Sequence, residues 1–207
     1  MVEGAYVARS AFAGLAVAAG TGQGVRATER EGLGIARLTA RRRQAGALQR
    51  LVRDRFDLVL PAGPRRTGSG ELAVAGIGPE SWLMTREHAG YAFAIGLRAS
   101  LGSHAAVLDL SDAYVMLRLT GARLRDTLAK LVPLDLHERS FRVGDVAQTV
   151  AEHMAVMLWR LEDTDRGEAA FELCAGRSLA RSLYGALRDS AAEFGFVFEK
   201  APHAAAR

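Results

Sequence analysis

The apolar positions of this chain predict the same succession of elements twice, in the order strand, helix, strand, strand, helix. The first run consists of a strand at 35–38, a helix at 41–56, strands at 72–74 and 82–84, and a helix at 91–101. The first helix is indicated by four apolar residues that recur on one helical face, namely Leu48, Leu51, Val52 and Phe56. Glycine- and proline-rich segments at 61–64 and 67–70 predict a loop after this helix.

The second run has the same composition of elements. It consists of strands at 107–110 and 114–119, a helix at 124–132, strands at 147–150 and 155–161, and a helix at 178–194. The strand at 155–161 is apolar on both faces except for Arg160, so we expect it at the centre of a sheet. A charged loop at 162–168 separates it from the last helix.

This order predicts an α+β fold of two α/β sandwich subdomains, each with an antiparallel sheet covered by helices on one face. The predicted divisions are an N-terminal arm at 1–31, a first subdomain at 32–104, a second subdomain at 105–197 and a C-terminal tail at 198–207. The arm contains a short apolar run like that of a secretory signal. Because Glu3 precedes the run and Arg9 is the only early cation, we interpret it as a mobile or partner-docked arm.

Composition narrows the class of protein. Hydrophobic residues make up 49% and charged residues 24%, which is typical of a globular domain. No run approaches the ~20 apolar residues of a membrane span, so no membrane association is expected. Residues 1–66 contain twelve arginines and five acidic residues, whereas the remainder contains fifteen basic and eighteen acidic residues. A basic N-terminal third of this kind favours a solvated surface or an acidic partner over nucleic acid, since the region around Arg41 to Arg43 has almost no interleaved aromatic residues.

Residues that usually carry chemistry are few and dispersed. Cys174 is the single cysteine, so an intramolecular disulfide and a multi-cysteine metal site are excluded, and its apolar neighbours indicate a partly buried structural thiol. The five histidines are far apart in the sequence, and the glycine pairs fit turns better than nucleotide-binding loops. No catalytic, cofactor-binding or metal-binding residue is predicted, and the lack of a disulfide framework favours a reducing, cytoplasmic location.

Two short segments are candidates for a partner interface. Arg41, Arg42 and Arg43 stand where the first helix is predicted to begin, and cations there oppose the helix dipole. They could grip an acidic partner subunit or a folate glutamate tail, and the alternative is that they are simply solvated.

Ser111 and Asp112 form the second segment, directly after a predicted strand. Together with Asp109 they could form a functional carboxylate pair. An Asx-type turn that closes Leu110 to Tyr114 is the simpler interpretation.

Several short motifs stand in a fixed order between residues 32 and 194. They are Gly32-Leu33-Gly34-Ile35-Ala36-Arg37-Leu38, Gly76-x-Gly78-Pro79-x-x-Trp82-Leu83, Leu108-Asp109-Leu110-Ser111-Asp112, Leu117-Arg118-Leu119-Thr120-Gly121, Pro133-Leu134-Asp135-Leu136-His137 and Val146-Ala147-Gln148-Thr149. As an ordered set they resemble the gamma subunit of heterotetrameric sarcosine oxidase. Ala122 stands where that family leads us to expect proline.

The resemblance implies a folate-binding fold like that of the glycine-cleavage T-protein. It also implies a non-catalytic subunit of a complex with alpha, beta and delta subunits, which oxidatively demethylates sarcosine to glycine in sarcosine catabolism. Such a complex forms hydrogen peroxide and, in one-carbon metabolism, methylenetetrahydrofolate. FAD, FMN, NAD, zinc and tetrahydrofolate are implied to be held by the other subunits, and none by this chain.

A different class of function remains open beside this one. The T-protein-like fold is also compatible with a stand-alone tetrahydrofolate-binding protein or an aminomethyltransferase-like enzyme. T-proteins are longer, however, and the K-G-C-Y-x-G-Q-E signature of related iron–sulfur assembly factors is absent around Cys174. An arginine-rich nucleic-acid binder would rest on charge alone.

Overall fold

A computed structural model describes residues 9–15, 24–69 and 71–199. The strands are β1 (Val25–Glu29), β2 (Gly34–Ala40), β3 (Arg66–Ser69), β4 (Leu72–Gly78), β5 (Ser81–Arg86), β6 (Ala105–Asp109), β7 (Tyr114–Thr120), β8 (Val146–Ala151), β9 (Met154–Arg160), β10 (Ala170–Gly176) and β11 (Phe196–Glu199). The helices are α1 (Ala45–Phe56), α2 (Ala92–Leu101), α3 (Leu124–Leu131) and α4 (Ala180–Ser190). They form two sheets that face each other, with helices on both outer sides.

The first sheet has five antiparallel strands in the order β3-β4-β5-β2-β6. Helices α1 and α2 cover its outer face, because Leu48 and Val52 of α1 and Leu97 of α2 pack with Leu38 and Met84 of the strands. This cluster is the hydrophobic core between the first sheet and its two helices. The residues of α1 in it are those that recur at helical spacing in the sequence.

The second sheet has six strands in the order β11-β1-β7-β10-β9-β8. β1 pairs in parallel with β11, and the other pairs among the described strands of this sheet are antiparallel. Its outer face is covered by α3 and α4, where Leu128 and Leu187 pack with Leu119, Leu158 and Phe171.

The inner faces of the two sheets pack against each other. The first sheet contributes Ile35, Ala75 and Leu83, together with Leu33 just before β2. The second sheet contributes Met116, Val146, Met157, Trp159 and Cys174. Because side chains alternate along a strand, each sheet contributes one set of residues to the helices and the other set to this inner layer. The fold is therefore a helix–sheet–sheet–helix stack.

The predicted α+β class with antiparallel sheets covered by helices is confirmed, and several local predictions need correction. The loop predicted at 67–70 is wrong for 67–69, which pair with β4 as part of β3. α1 begins at Ala45 rather than at residue 41. The strands β1, β10 and β11 were not predicted, and each is a member of the second sheet.

Strand pairing crosses the predicted subdomain boundaries, which stay a prediction. β6 follows residue 104 but pairs with β2 in the first sheet. β1 lies in the segment predicted as an arm, yet it pairs with β7 in the second sheet. Residues 9–15 of the same segment form a turn whose Phe12 is fully buried against Phe198 of β11. The outer parts of the arm and the tail lie outside the described residues.

Candidate functional site

The arginine triplet of the sequence analysis is exposed in the turn between β2 and α1. Arg41 Nε donates a hydrogen bond to the carbonyl of Gly102 at 3.1 Å. Arg43 adopts a left-handed backbone conformation with φ of 63°. Since α1 begins only at Ala45, the triplet precedes the first helical turn, and the electrostatic cost expected inside that turn is smaller here.

Ser111 is a structural link in the turn after β6. Its backbone N–H donates to Asp109 Oδ1 at 3.0 Å, which is an Asx turn of the kind interpreted from the sequence. Its hydroxyl donates to the same oxygen at 2.7 Å and accepts the backbone N–H of Ile35 at 3.0 Å. Asp112 is exposed beside it.

The two predicted interface segments are not brought together. Ser111 contacts Ile35 near the start of β2, whereas Arg41 follows the last residue of that strand. Six residues of extended chain span roughly 20 Å, at about 3.3 Å per residue. If both segments contact partners, they do so at separate places.

The structure adds a group of charged residues that sequence reasoning did not single out. A row of side chains runs in register across four strands of the second sheet: Thr28 of β1, Arg118 of β7, Glu172 of β10 and Trp159 of β9. All four belong to the inner face of that sheet. Two further residues complete the group. Arg30 follows β1 of the second sheet, and Glu87 follows β5 of the first sheet.

Glu172 is the centre of this group, and its residue is 1% exposed. Its Oε2 accepts the indole N–H of Trp159 at 2.7 Å, and its Oε1 accepts Arg118 Nη2 at 2.9 Å. Arg30 also pairs with Oε1, and its other terminal nitrogen pairs with Glu87. A buried carboxylate is tolerable here because both oxygens have donors, two of them cationic.

Arg66 of β3 approaches the same group from the first sheet. Burial lowers its pKa, the charge of Arg30 lowers it further, and the charge of Glu87 raises it. Its guanidinium donates to the carbonyl of Gly68 at 3.4 Å. We call the five charged residues Arg30, Arg66, Glu87, Arg118 and Glu172 the inter-sheet ion cluster.

The cluster contains three cations and two anions, and burial is the largest cause of the lowered pKa of each arginine. Burial and then the charge of Arg30 lower the pKa of Arg118 to about 10, with Glu87 raising the pKa and Arg66 lowering it again. Burial also lowers the pKa of Arg30, although Glu87 opposes the shift. All three remain cations near neutral pH, so they can bind an anion or pair with the carboxylates of the cluster.

Other chemistry-bearing residues fit structural roles. Cys174 is fully buried in the inner layer, deeper than the partly buried position expected, and burial raises the pKa of its thiol to about 12. In the parts of the chain that the structure describes, no three of the histidine, cysteine and acidic side chains group to hold a metal ion. None of the described helices is long and apolar enough to cross a membrane.

A weak sequence signal for the cluster did exist. Arg118 is a charge inside the strand Tyr-Val-Met-Leu-Arg-Leu-Thr, and Glu172 is one inside Ala-Phe-Glu-Leu-Cys-Ala-Gly. A charge inside an otherwise buried strand requires a partner. The partners Arg30 and Glu87 come from distant parts of the chain and could not be assigned without the fold.

Comparisons with known proteins agree with one another. A model of the sarcosine oxidase gamma subunit family matches residues 42–193. The gamma subunit of sarcosine oxidase from Corynebacterium sp. (strain U-96) is 32% identical over 123 residues, which are 59% of this chain and 57% of that protein. The gamma subunit from Arthrobacter sp. is 36% identical over 89 residues, which are 42% of this chain and 43% of that protein. These matches thus span about half the length of the relatives.

Solved structures extend the likeness to the whole fold. A chain of heterotetrameric sarcosine oxidase from Corynebacterium sp. U-96, solved in complex with pyrrole 2-carboxylate, superposes with a TM-score of 0.76 at 28% identity. The superposition covers 91% of this chain and 97% of that one. Aminomethyltransferase T of the glycine cleavage system from Bartonella henselae shares the fold alone, with a TM-score of 0.61 at 12% identity over 84% of this chain and 47% of that one. The family model covers well over half of the sequence, and the chain belongs to the sarcosine oxidase gamma subunit family.

Proposed function

We propose that this chain is the gamma subunit of a heterotetrameric sarcosine oxidase and that its role in the complex is structural rather than catalytic. The observation that carries the proposal is the superposition, which extends over 97% of a chain taken from such a heterotetramer. The family match supports the same role. The buried carboxylate of Glu172, paired with Arg30, and the buried thiol of Cys174 are consistent with it, because neither group is exposed to a substrate.

The proposed complex oxidatively demethylates sarcosine to glycine, with formation of hydrogen peroxide and methylenetetrahydrofolate. Its alpha, beta and delta subunits would be the partners of this chain, and they would hold FAD, FMN, NAD, zinc and tetrahydrofolate. The expected location is the cytoplasm. Arg41 to Arg43 and Ser111 to Asp112 are proposed as contacts with these subunits. The three arginines and Asp112 are exposed at two separate places on the surface, and Ser111 is partly buried beside Asp112.

The aminomethyltransferase-like alternative has less support. The likeness to aminomethyltransferase T is one of fold, and it extends over less than half of that protein. An enzyme of that kind would also need residues that bind its substrate in a cleft. The charged cluster described above lies between two packed sheets, and the gap beside it, lined in part by Arg66, Thr85 and Trp159, is too narrow for a water molecule.

Co-expression with the neighbouring genes tests the proposal. We expect the chain to co-elute with two large flavin-containing subunits and a small one, and the complex to oxidise sarcosine. Expressed alone, the chain should be colourless and inactive. Persistent elution as a lone monomer in the presence of the other subunits would contradict the proposal, and sarcosine turnover by the isolated chain would contradict the structural role.

A further inference from the structure

The inter-sheet ion cluster is short of one negative charge. Three guanidinium groups, those of Arg30, Arg66 and Arg118, face two carboxylates, Glu87 and Glu172. Arg30 is shared between both carboxylates, and Arg118 pairs with Glu172. Among the described residues, Arg66 forms no ion pair, and its hydrogen bond goes to a backbone carbonyl at 3.4 Å.

The unbalanced charge lies at the solvent side of the cluster. The side chain of Arg118 is 43% exposed, whereas those of Arg30 and Glu172 are 14% and 2% exposed. Arg66 is half-buried and lines a narrow gap that Trp159 also lines, too small for a water molecule. An anion approaching from solvent would therefore reach Arg66 and Arg118 without breaking the buried pairs beneath them.

We propose that Arg66 and Arg118 form a binding site for a carboxylate group. Each guanidinium has several N–H donors in a plane that matches the two oxygens of a carboxylate. Glu172 already uses both of its oxygens, and Glu87 is occupied by Arg30, so neither can supply the missing partner. The proposal accounts for a cationic residue, Arg66, that is half-buried on an inner sheet face without a carboxylate of its own.

A carboxylate fits this site better than a phosphate group does. Three cations and two anions leave a net charge of +1, which a single carboxylate neutralises. A phosphate dianion would make the net charge negative. Phosphate sites also typically use backbone N–H groups from a helix N-terminus or a glycine-rich turn. Arg66 and Arg118 instead lie on the strands β3 and β7, whose backbone N–H groups are directed along the sheet ladders.

The carboxylate could belong to an acidic side chain of a neighbouring subunit or to a small free molecule. The gap beside Arg66 is too narrow for a water molecule, so a carboxylate must meet the two arginines at the protein surface, where Arg118 is exposed. This favours a side chain presented by another protein. That source rests on the proposed function, since it requires the chain to assemble with other subunits. The free source does not, and two experiments separate them.

The first experiment measures assembly with Arg66→Gln, which removes the unpaired charge without touching the Glu172 pairs. We expect this variant to bind the other subunits about tenfold more weakly, which corresponds to the loss of one charged hydrogen bond. Arg66→Lys keeps the charge and should recover part of the affinity. Arg55→Gln, on the exposed surface of α1, is the matched control and should bind like the wild type.

The second experiment titrates the isolated full-length chain with sodium acetate against sodium chloride at equal ionic strength. Trp159 donates to Glu172, whose other oxygen holds Arg118, so tryptophan fluorescence can report occupancy. A saturable, acetate-specific change that Arg66→Gln abolishes, with assembly unaffected, would identify a free carboxylate as the ligand. Weaker assembly of Arg66→Gln without an acetate response would identify a partner side chain.

The outcomes that overturn the site are distinct from failure of the proposed function. If the wild-type chain fails to co-elute with the other subunits, the proposed function fails, and the acetate titration still tests the site. If the wild type assembles, Arg66→Gln assembles equally well and acetate has no specific effect, the carboxylate site is wrong. Equal weakening by Arg66→Gln and Arg55→Gln would also overturn it, because the effect would then be one of general charge.

Discussion

Glu172 shows how one charged residue can organise a buried layer. Its strand, β10, is buried along nearly its whole length, so the carboxylate has no water to solvate it. The indole of Trp159 and the guanidiniums of Arg30 and Arg118 replace that water. Because an unpaired buried charge costs several kcal/mol, such a group is stable only while its partners are in place.

Glu172→Gln should therefore be strongly destabilising although it is isosteric. The amide is neutral, so three guanidiniums would face a single carboxylate, and we expect a loss of about 3–5 kcal/mol in the free energy of unfolding. Urea denaturation measures this loss. Glu138→Gln, at an exposed position, is the control and should change stability by less than about 0.5 kcal/mol. Equal stability of the two variants would contradict the role given to Glu172.

Cys174 makes stability depend on alkaline pH. Burial raises the pKa of its thiol from 9.0 to about 12, so between these values the unfolded chain loses a proton that the folded chain keeps. The unfolded state then binds fewer protons, and the free energy of unfolding falls as pH rises, by up to about 1.4 kcal/mol per pH unit. Below pH 9.0 the contribution is fully present.

Cys174→Ala should flatten this alkaline decline. The variant loses some packing at every pH, so the comparison is between slopes rather than absolute stabilities. Urea midpoints measured on both sides of pH 9.0 give the slopes. Parallel slopes for the variant and the wild type would show that ionisation of the thiol does not control alkaline stability.

Residue-level prediction from sequence succeeded for local contacts and failed for distant ones. The Asx turn at Asp109 and Ser111 was foreseeable, because both partners lie within three positions. The pair of Arg30 with Glu87 joins residues 57 positions apart, and nothing in either neighbourhood points to the other. The candidate site therefore had to come from the fold.

At the scale of elements, periodicity identified those that have one clear apolar face. The four helices were predicted, although α1 begins four residues later and α4 ends four residues earlier than expected. β3 was missed because its residues Arg-Thr-Gly-Ser have the composition of a loop. β1 and β11 are short and flank segments whose small residues resemble a linker, so their pairing could not be read from local pattern.

Gly121 fixes the junction between β7 and α3. It has φ of +133°, and an added Cβ would lie 2.3 Å from the carbonyl oxygen of Gly24, just before β1. Gly121→Ala must therefore strain the backbone and push β1 away, at a cost of roughly 2–5 kcal/mol.

Gly167→Ala is the matched control for this substitution. Gly167 also has positive φ, +72°, but nothing lies within 4 Å of its added Cβ. It should cost only the local strain, about 1–2 kcal/mol. Thermal or urea denaturation of both variants tests the difference, and equal costs would mean that the contact with Gly24 is relaxed easily.

For the whole molecule, the doubled sequence pattern does translate into two sheet-and-helix units. What the pattern could not predict is that strands are exchanged across the apparent boundary, with β6 in the first sheet and β1 in the second. Pairing partners are chosen by the final packing, and no local rule fixes them over such separations. The two units are consequently tied together by chain crossings as well as by the inner layer.

Charge reversal of Arg41, Arg42 and Arg43 to glutamate tests the proposed interface at this scale. The three residues are exposed and precede α1, where negative charge favours the helix dipole, so the isolated fold should keep its stability. Assembly with the other subunits should weaken at least about tenfold if the triplet contacts an acidic surface. Complex yield after co-expression is the measurement.

The control for charge reversal is Arg139→Glu combined with Arg166→Glu, which changes exposed charges elsewhere. We expect this control to assemble normally. An undiminished yield for the triplet variant would remove its role in docking, and a similar fall for both variants would point to net charge alone.

The parallel pairing of β1 with β11 has a consequence for biosynthesis. Val25 pairs with Phe196, so β1 leaves the ribosome long before its neighbour β11 has been made. Until β11 has cleared the exit tunnel, the edge of β1 is an open template, and folding of that sheet waits for β11. Nascent chains stalled before β11 should therefore be the ones that recruit chaperones.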